Sequence, residues 1–157
     1  MTPQFIIQGL AGFLHNLFTV VWVGGLVMIV LTLLPSAKDV FGNGKQTRDL
    51  LNSINRRHRI WVYISILGLF ITGVIQARAE STFNGLLRFD SFYSSLTSIK
   101  HLFTFIMVGI TLFRSLIIGN KLDSAEPKLM KQSLLLIIVN AVLGVGVLLL
   151  SGLMAAY

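Results

Sequence analysis

Residues Phe13–Leu26 read FLHNLFTVVWVGGL and lie inside an apolar run that extends from about residue 5 to residue 34. This run exceeds the roughly 20 apolar residues that an α-helix needs to cross a bilayer. A polar side chain inside such a helix is costly unless it has a partner or a task, so His15 is a candidate functional residue. Trp22 follows seven residues later, about two turns along and on nearly the same helix face, and is a candidate to line the same site.

The composition indicates an integral membrane protein. Of the 157 residues, 54% are hydrophobic and only 12% are charged, and the mean hydropathy is +0.79. This leaves too little polar surface to cover a soluble globule of the same size. The chain has no cysteine, which excludes disulfides, thiolate metal sites and thiol catalysis. Histidines, methionines and carboxylates remain as candidate metal ligands.

Three further apolar segments are long enough to span a bilayer, at about residues 60–79, 95–118 and 132–156. With the first run, they predict one all-α domain over residues 1–157, an integral membrane four-helix bundle. The first run carries no basic segment or small-residue cleavage signal, so we expect a retained helix and not a signal peptide.

Two connections between the predicted spans carry distinct expectations. Residues Ser36 to His58 are polar and predict a loop with a turn at residues 42–44 and a short interfacial helix from Thr47 to Asn55. The connection from Glu80 to Ser95 is rich in aromatic residues. It is interpreted either as a lid over a site in the outer leaflet or as a docking surface for a partner.

The basic residues are distributed unequally between the two sides of the predicted bundle. Ten lie in or beside the first and third connections, and the other three lie around the second connection: Arg78, Arg88 and Lys100. Because cytoplasmic loops carry an excess of Lys and Arg, the bias predicts that loops 35–59 and 119–131 are cytoplasmic and that both termini lie outside. The expected location is the cell membrane, as a multi-pass protein.

This topology places two histidines in the same half of the membrane. His15 lies about ten residues from the outer end of span one and His101 about six from the outer start of span three, which is ~15 and ~9 Å deep at ~1.5 Å per residue. Imidazoles from two helices at similar depth can ligate a b-type haem axially. Lys100 and Arg78 are candidates to receive its propionates. His58 lies at the cytoplasmic side and is not expected to reach this site, and the structural alternative for each histidine is a hydrogen bond within the bundle.

Copper is the other metal that the histidines favour, since imidazole and thioether groups both bind it. The five methionines are dispersed and form no M-x-x-M or M-x-M cluster, so a dedicated copper channel has weak support. No nucleotide loop, Ser/His/Asp arrangement or pair of intramembrane carboxylates is present. Hydrolases, kinases and carboxylate-driven proton pumps therefore have no support.

Several of these residues resemble the motifs of one membrane family. The positions are His15 with Trp22–Gly25 in span one, Arg57 before span two, Thr72 with Gly73 near its outer end, Lys100 at the start of span three, and Arg114 fourteen residues later. In order and spacing they resemble the copper-resistance D (CopD) domain family and its relative, the four-helix J-type protoporphyrinogen oxidase. The resemblance covers nearly the whole chain.

The resemblance implies a four-helix membrane domain. In the oxidase branch, which binds haem b, the functional residues correspond to His15, Arg57 and Lys100. Lys100 and His101 are neighbours about 100° apart on a helix, so only one of them can face His15 squarely. For the position that faces His15, ligand chemistry favours His101, whereas the family pattern favours Lys100.

One segment and one further residue depart from the family pattern. Residues 24–30 are apolar, where the oxidase branch usually continues with arginine and tyrosine. Asn140 stands where the copper-resistance group often has a buried glutamate, and a neutral amide cannot serve as a charged cation ligand.

Three hypotheses follow. The first is a haem-b-binding membrane protein in electron transfer or redox chemistry, with His15 as one axial ligand. The second is copper import or handling, with His15 and methionines as ligands. The third is a non-catalytic accessory subunit of a larger membrane enzyme. The expected partners are the lipid bilayer and either other membrane subunits or a second copy in a homodimer; nucleic acid is not expected, because the basic residues lie between the apolar runs.

Overall fold

The computed structural model describes residues 2–79, 89–118 and 127–156, and these are almost entirely helical, with no strand among them. Four helices in these ranges are long and apolar enough to cross a membrane: Pro3–Phe41, Lys45–Arg78, Phe92–Leu116 and Leu129–Ala156. Large apolar side chains remain exposed along them, as at Leu31 and Phe70, each 70% exposed. Outward-facing apolar side chains suit contact with lipid chains. The prediction of an all-α, multi-pass membrane protein is confirmed.

The first helix runs continuously from Pro3 to Phe41. Thr2 caps its start by accepting a hydrogen bond from the Phe5 amide, a role that suits a Thr side chain beside exposed helix amides. Two π-helical segments, Val20–Gly24 and Ile29–Leu33, interrupt the α-helix. Such wide turns are rare in proteins, and those that occur are often at functional sites.

A three-residue turn joins the first helix to the second. The first helix ends at Phe41, and Gly42 takes a positive φ of 68°, a conformation that glycine adopts without a steric penalty. The second helix begins at Lys45 and extends to Ala79. The prediction of a turn at residues 42–44 is confirmed.

The prediction of a polar loop from Ser36 to His58 is wrong, and the short interfacial helix is part of a longer one. Both helices continue past the apolar runs and pack on each other, because Ala37 and Thr47 are buried at the turn. The Thr47 hydroxyl donates to the Gly42 carbonyl at 2.6 Å and lies 3.1 Å from the Ala37 carbonyl oxygen. Tertiary packing of this kind extends helices through polar sequence.

The first two helices form one compact unit, within residues 1–83. Two glycines allow aromatic rings to approach the opposing backbone. A Cβ on Gly68 would overlap the Phe18 ring, and a Cβ on Gly25 would overlap the imidazole of His58. Small residues at such contacts are typical of helix pairs in membranes.

The remaining described residues form a second compact unit, within residues 84–157. Its first helix begins at Phe92, three residues before the predicted start, because Ser91 and Ser94 form a reciprocal capping box. This helix ends in a π-helical segment, Arg114–Ile118, and the last helix is Pro127–Ala156.

Polar and aromatic contacts join the two helices of the second unit. The Asn140 amide nitrogen donates to the Thr111 hydroxyl at 3.0 Å, and a Cβ on Gly146 would lie 3.0 Å from the Phe103 ring. Residues 80–88 of the predicted outer connection and residues 119–126 of the predicted third connection lie outside the described ranges.

Candidate functional site

His15 is tied to the second helix by a side-chain hydrogen bond. Its Nδ1 atom lies 2.9 Å from Oγ1 of Thr72. The Thr72 hydroxyl donates its single proton to the Gly68 carbonyl, at 2.7 Å. Because that proton is committed, the hydroxyl oxygen accepts from Nδ1–H of His15. The neutral imidazole therefore carries its proton on Nδ1, and Nε2 is the basic nitrogen.

Neighbouring contacts fix the position of the His15 ring. Gly73 lies beside it, since a Cβ there would be 3.8 Å from Cε1 of His15. One turn earlier on the first helix, the Ala11 carbonyl accepts a hydrogen bond from the Gln76 amide at 3.2 Å. Both helix backbones thus approach closely around a half-buried imidazole.

His101 has the same protonation pattern within the second unit. Its Nδ1 atom lies 2.7 Å from the Thr97 carbonyl oxygen, one turn earlier on the same helix. A carbonyl oxygen only accepts, so the neutral imidazole carries its proton on Nδ1 here as well. Nε2 is again the basic nitrogen, and the side chain is half-buried.

This pattern is the one found around metal-bound imidazoles. A ligating histidine almost always donates its other ring N–H to an oxygen acceptor, which fixes the tautomer and the ring orientation. His15 and His101 each have that arrangement in their own unit.

The other predicted site residues differ in burial. Trp22 is buried, Lys100 is half-buried, and Arg57 and Arg78 are exposed. Arg78 stands six residues after Thr72, near the end of the second helix that contacts His15. Arg57 stands fifteen residues before Thr72, ~22 Å away along the helix axis, so the structure does not bring Arg57 and His15 together.

Two polar residues of the second helix, Ser65 and Gln76, were not singled out from the sequence. Along the second helix, His58, Ser65 and Thr72 recur every seven residues, and Gln76 follows one turn later. Seven residues are about two helical turns, so these side chains share one face. This spacing of polar residues within an apolar run is the feature of the sequence that could have identified the interface face of the second helix.

Within residues 2–79, 89–118 and 127–156, no group of three or more His, Cys, Asp or Glu side chains is placed to hold a metal ion. A copper centre built from such ligands therefore has no support in this part of the chain. Comparisons with protein-family models, with curated proteins and with solved structures find no match for this chain.

Proposed function

We propose that the protein binds haem b within the membrane and acts in electron transfer, and that His15 and His101 would hold the haem iron. One observation carries the proposal: each imidazole has its Nδ1–H bonded to an oxygen acceptor. That bond selects the tautomer that can ligate iron through Nε2. The resemblance to the copper-resistance D family and its oxidase relative supports the role of His15, whereas at the second position it favours Lys100 over His101.

In this proposal the bound haem supplies one-electron redox chemistry. The chain's own residues orient the ligands. Thr72 and the Thr97 carbonyl hold the two imidazoles in one tautomer and one orientation. Lys100 and Arg78 are proposed to bind the propionates, and Trp22 to pack near the site.

The test is the absorption spectrum of the protein purified in detergent from haem-replete cells. We expect a Soret band in the wild type, and its loss in His15→Ala and in His101→Ala. His58→Ala is the matched control, because His58 packs against Gly25 and is assigned no ligand role; it should keep the band.

Two results would contradict this assignment. A colourless, haem-free wild type would overturn haem binding itself. Retention of the full spectrum in His101→Ala, with its loss in Lys100→Met, would transfer the second ligand position to Lys100, as the family pattern implies.

A copper-handling role is the second candidate, and it draws on one contact in the second unit. The Thr97 hydroxyl lies 3.8 Å from Sδ of Met154, while the Thr97 carbonyl accepts from His101. Thioether and imidazole groups together favour Cu(I). Metal analysis showing stoichiometric copper without haem, and its loss in Met154→Leu, would select this role.

We further propose that the turn at residues 42–44 faces the cytoplasm and that both termini lie outside. Lys and Arg predominate around that turn. The chain has no cysteine, so one introduced thiol reports one position. Asn43→Cys should react with a membrane-impermeant maleimide only after the cells are opened, and Thr2→Cys should react in intact cells.

A further inference from the structure

Two buried polar side chains of the first unit have no hydrogen-bond partner within the described residues. Trp22 is 2% exposed and Ser65 is 0% exposed, and neither Nε1 of Trp22 nor Oγ of Ser65 has a partner in that part of the chain. A buried donor without a partner is costly. Native structures usually satisfy such groups with protein atoms or ordered water.

Both residues lie on elements that contact each other, since the segment Val20–Gly24 packs on the second helix. Ser65 lies seven residues after His58 and seven before Thr72, and both of those side chains contact the first helix. A spacing of seven residues preserves the helix face. Trp22 lies between Phe18, whose ring packs on Gly68, and Gly25, which the His58 ring covers.

The Ser65 hydroxyl does not take the bond that hydroxyls in helices commonly take. Thr19 and Thr72 each donate to the carbonyl four residues earlier, at 2.9 and 2.7 Å. Ser65 does not donate to the corresponding carbonyl of Trp61. Its hydroxyl is therefore available to a group lying between the two helices.

The backbone around Trp22 is also unusual. Trp22 is the central residue of the π-helical segment Val20–Gly24. A wide turn at this position changes the direction of the side chain relative to a regular helix, and such turns are frequent at functional sites.

We propose that Trp22 and Ser65 bind one ordered water molecule between the first two helices. The indole N–H only donates, so its partner must accept, and the hydroxyl can both donate and accept. Water satisfies both groups at once, and buried waters typically make two to four such bonds. The Phe18 ring packs on Gly68 and the His58 ring on Gly25 in the same helix pair, and such close approach favours a ligand as small as water.

The test is NMR of the indole N–H of Trp22 in detergent or nanodiscs. Trp61→Phe removes the only other tryptophan, so one ¹⁵N indole signal remains. We expect a cross-peak between this proton and a bound water, and its loss in Trp61→Phe/Ser65→Val, where a branched apolar side chain fills the site. Ser65→Ala is a second, milder variant, for use if the valine variant does not fold. It should shift the indole resonance of Trp22, because it removes the hydroxyl that binds the water.

The matched control is Ser53→Ala in the same background, because Ser53 is an exposed residue of the same helix. The control should keep both the cross-peak and the indole shift. Absence of the cross-peak in the Trp61→Phe protein would overturn the proposal. An indole signal that is unchanged in both Ser65 variants would overturn it as well.

Discussion

The Nδ1 atom of His15 lies 2.9 Å from Oγ1 of Thr72, a residue 57 positions later in the chain. This bond joins the two helices of the first unit and sets the imidazole tautomer at the same time. Thr72 acts through His15 and is a positioning residue in the proposed site. Several measurable consequences follow from this and related contacts.

Thr72→Val should weaken haem binding while the fold is retained. Valine keeps the shape of threonine but cannot accept the His15 proton. Loss of such an outer-shell partner typically lowers metal affinity about 10- to 100-fold. Haem titration followed at the Soret band gives the affinity, and ¹⁵N NMR of the apo protein should show that His15 no longer holds one tautomer. Thr104→Val is the control, since the Thr104 hydroxyl donates to the Lys100 carbonyl of its own helix. Equal haem affinity in Thr72→Val and wild type would contradict the role of Thr72.

Gly68→Ala should destabilise the first unit by about 1–3 kcal/mol, the usual cost of overpacking. The added methyl group would overlap the Phe18 ring. Gly152→Ala is the control, because a Cβ there meets nothing within 4 Å; alanine's higher helix propensity should raise stability by up to about 1 kcal/mol. Unfolding in detergent followed by circular dichroism measures both changes. Equal stability of the Gly68 variant and the wild type would show that the Phe18 ring moves aside without cost.

Asn140 and Thr111 should show energetic coupling in a double-mutant cycle. Thr111→Val removes the acceptor of the Asn140 amide and leaves that buried amide unpaired, at a cost of about 1–3 kcal/mol. Hydrogen bonds between membrane helices average about 0.6 kcal/mol in such cycles, with a maximum near 1.7. We therefore expect Asn140→Leu/Thr111→Val to be less destabilised than the sum of the single variants. Strict additivity would show that the bond contributes nothing to folding.

Gly42→Ala should loosen the turn between the first two helices. Gly42 has φ 68° and ψ −164°, a region that only glycine enters readily, and strain there costs of order 1–3 kcal/mol. Hydrogen exchange of amides near Thr47 should be faster in this variant. Gly44→Ala is the control, because its nearest contact would be an ordinary 3.8 Å to the Phe41 carbonyl oxygen. Equally faster exchange in both variants would contradict this prediction. It would show that replacing either glycine of the turn has the same effect, whether or not the glycine has a positive φ.

The membrane class and the four helices were predictable because apolar runs of more than about 20 residues have few alternatives to a spanning helix. The end of the first helix and the start of the second helix were not predictable from hydropathy. Helical structure continues from Ser36 to Phe41 and from Lys45 onward, where hydropathy no longer identifies it. Packing at Ala37 and Thr47 determines those ends, and packing depends on which helix pairs with which.

The sequence was sufficient to predict which residue types form the candidate site. It was sufficient only in part to predict which residues contact each other there. His15 stood out because a histidine in an apolar run is rare. Its partner Thr72 depends on the antiparallel register of two helices, which the sequence does not specify. The seven-residue repeat of His58, Ser65 and Thr72 identifies one face of the second helix, but it does not indicate which helix packs against that face. Haem ligation by His15 and His101 stays a prediction.

The three-residue connection after Phe41 has a consequence for biogenesis. A reversal this short joins two helices that are each long enough to cross a bilayer, and it suits their insertion together as a helical hairpin. When the two helices insert as a pair, the His15–Thr72 bond can form before the imidazole enters hydrocarbon, which avoids the cost of transferring it unpaired.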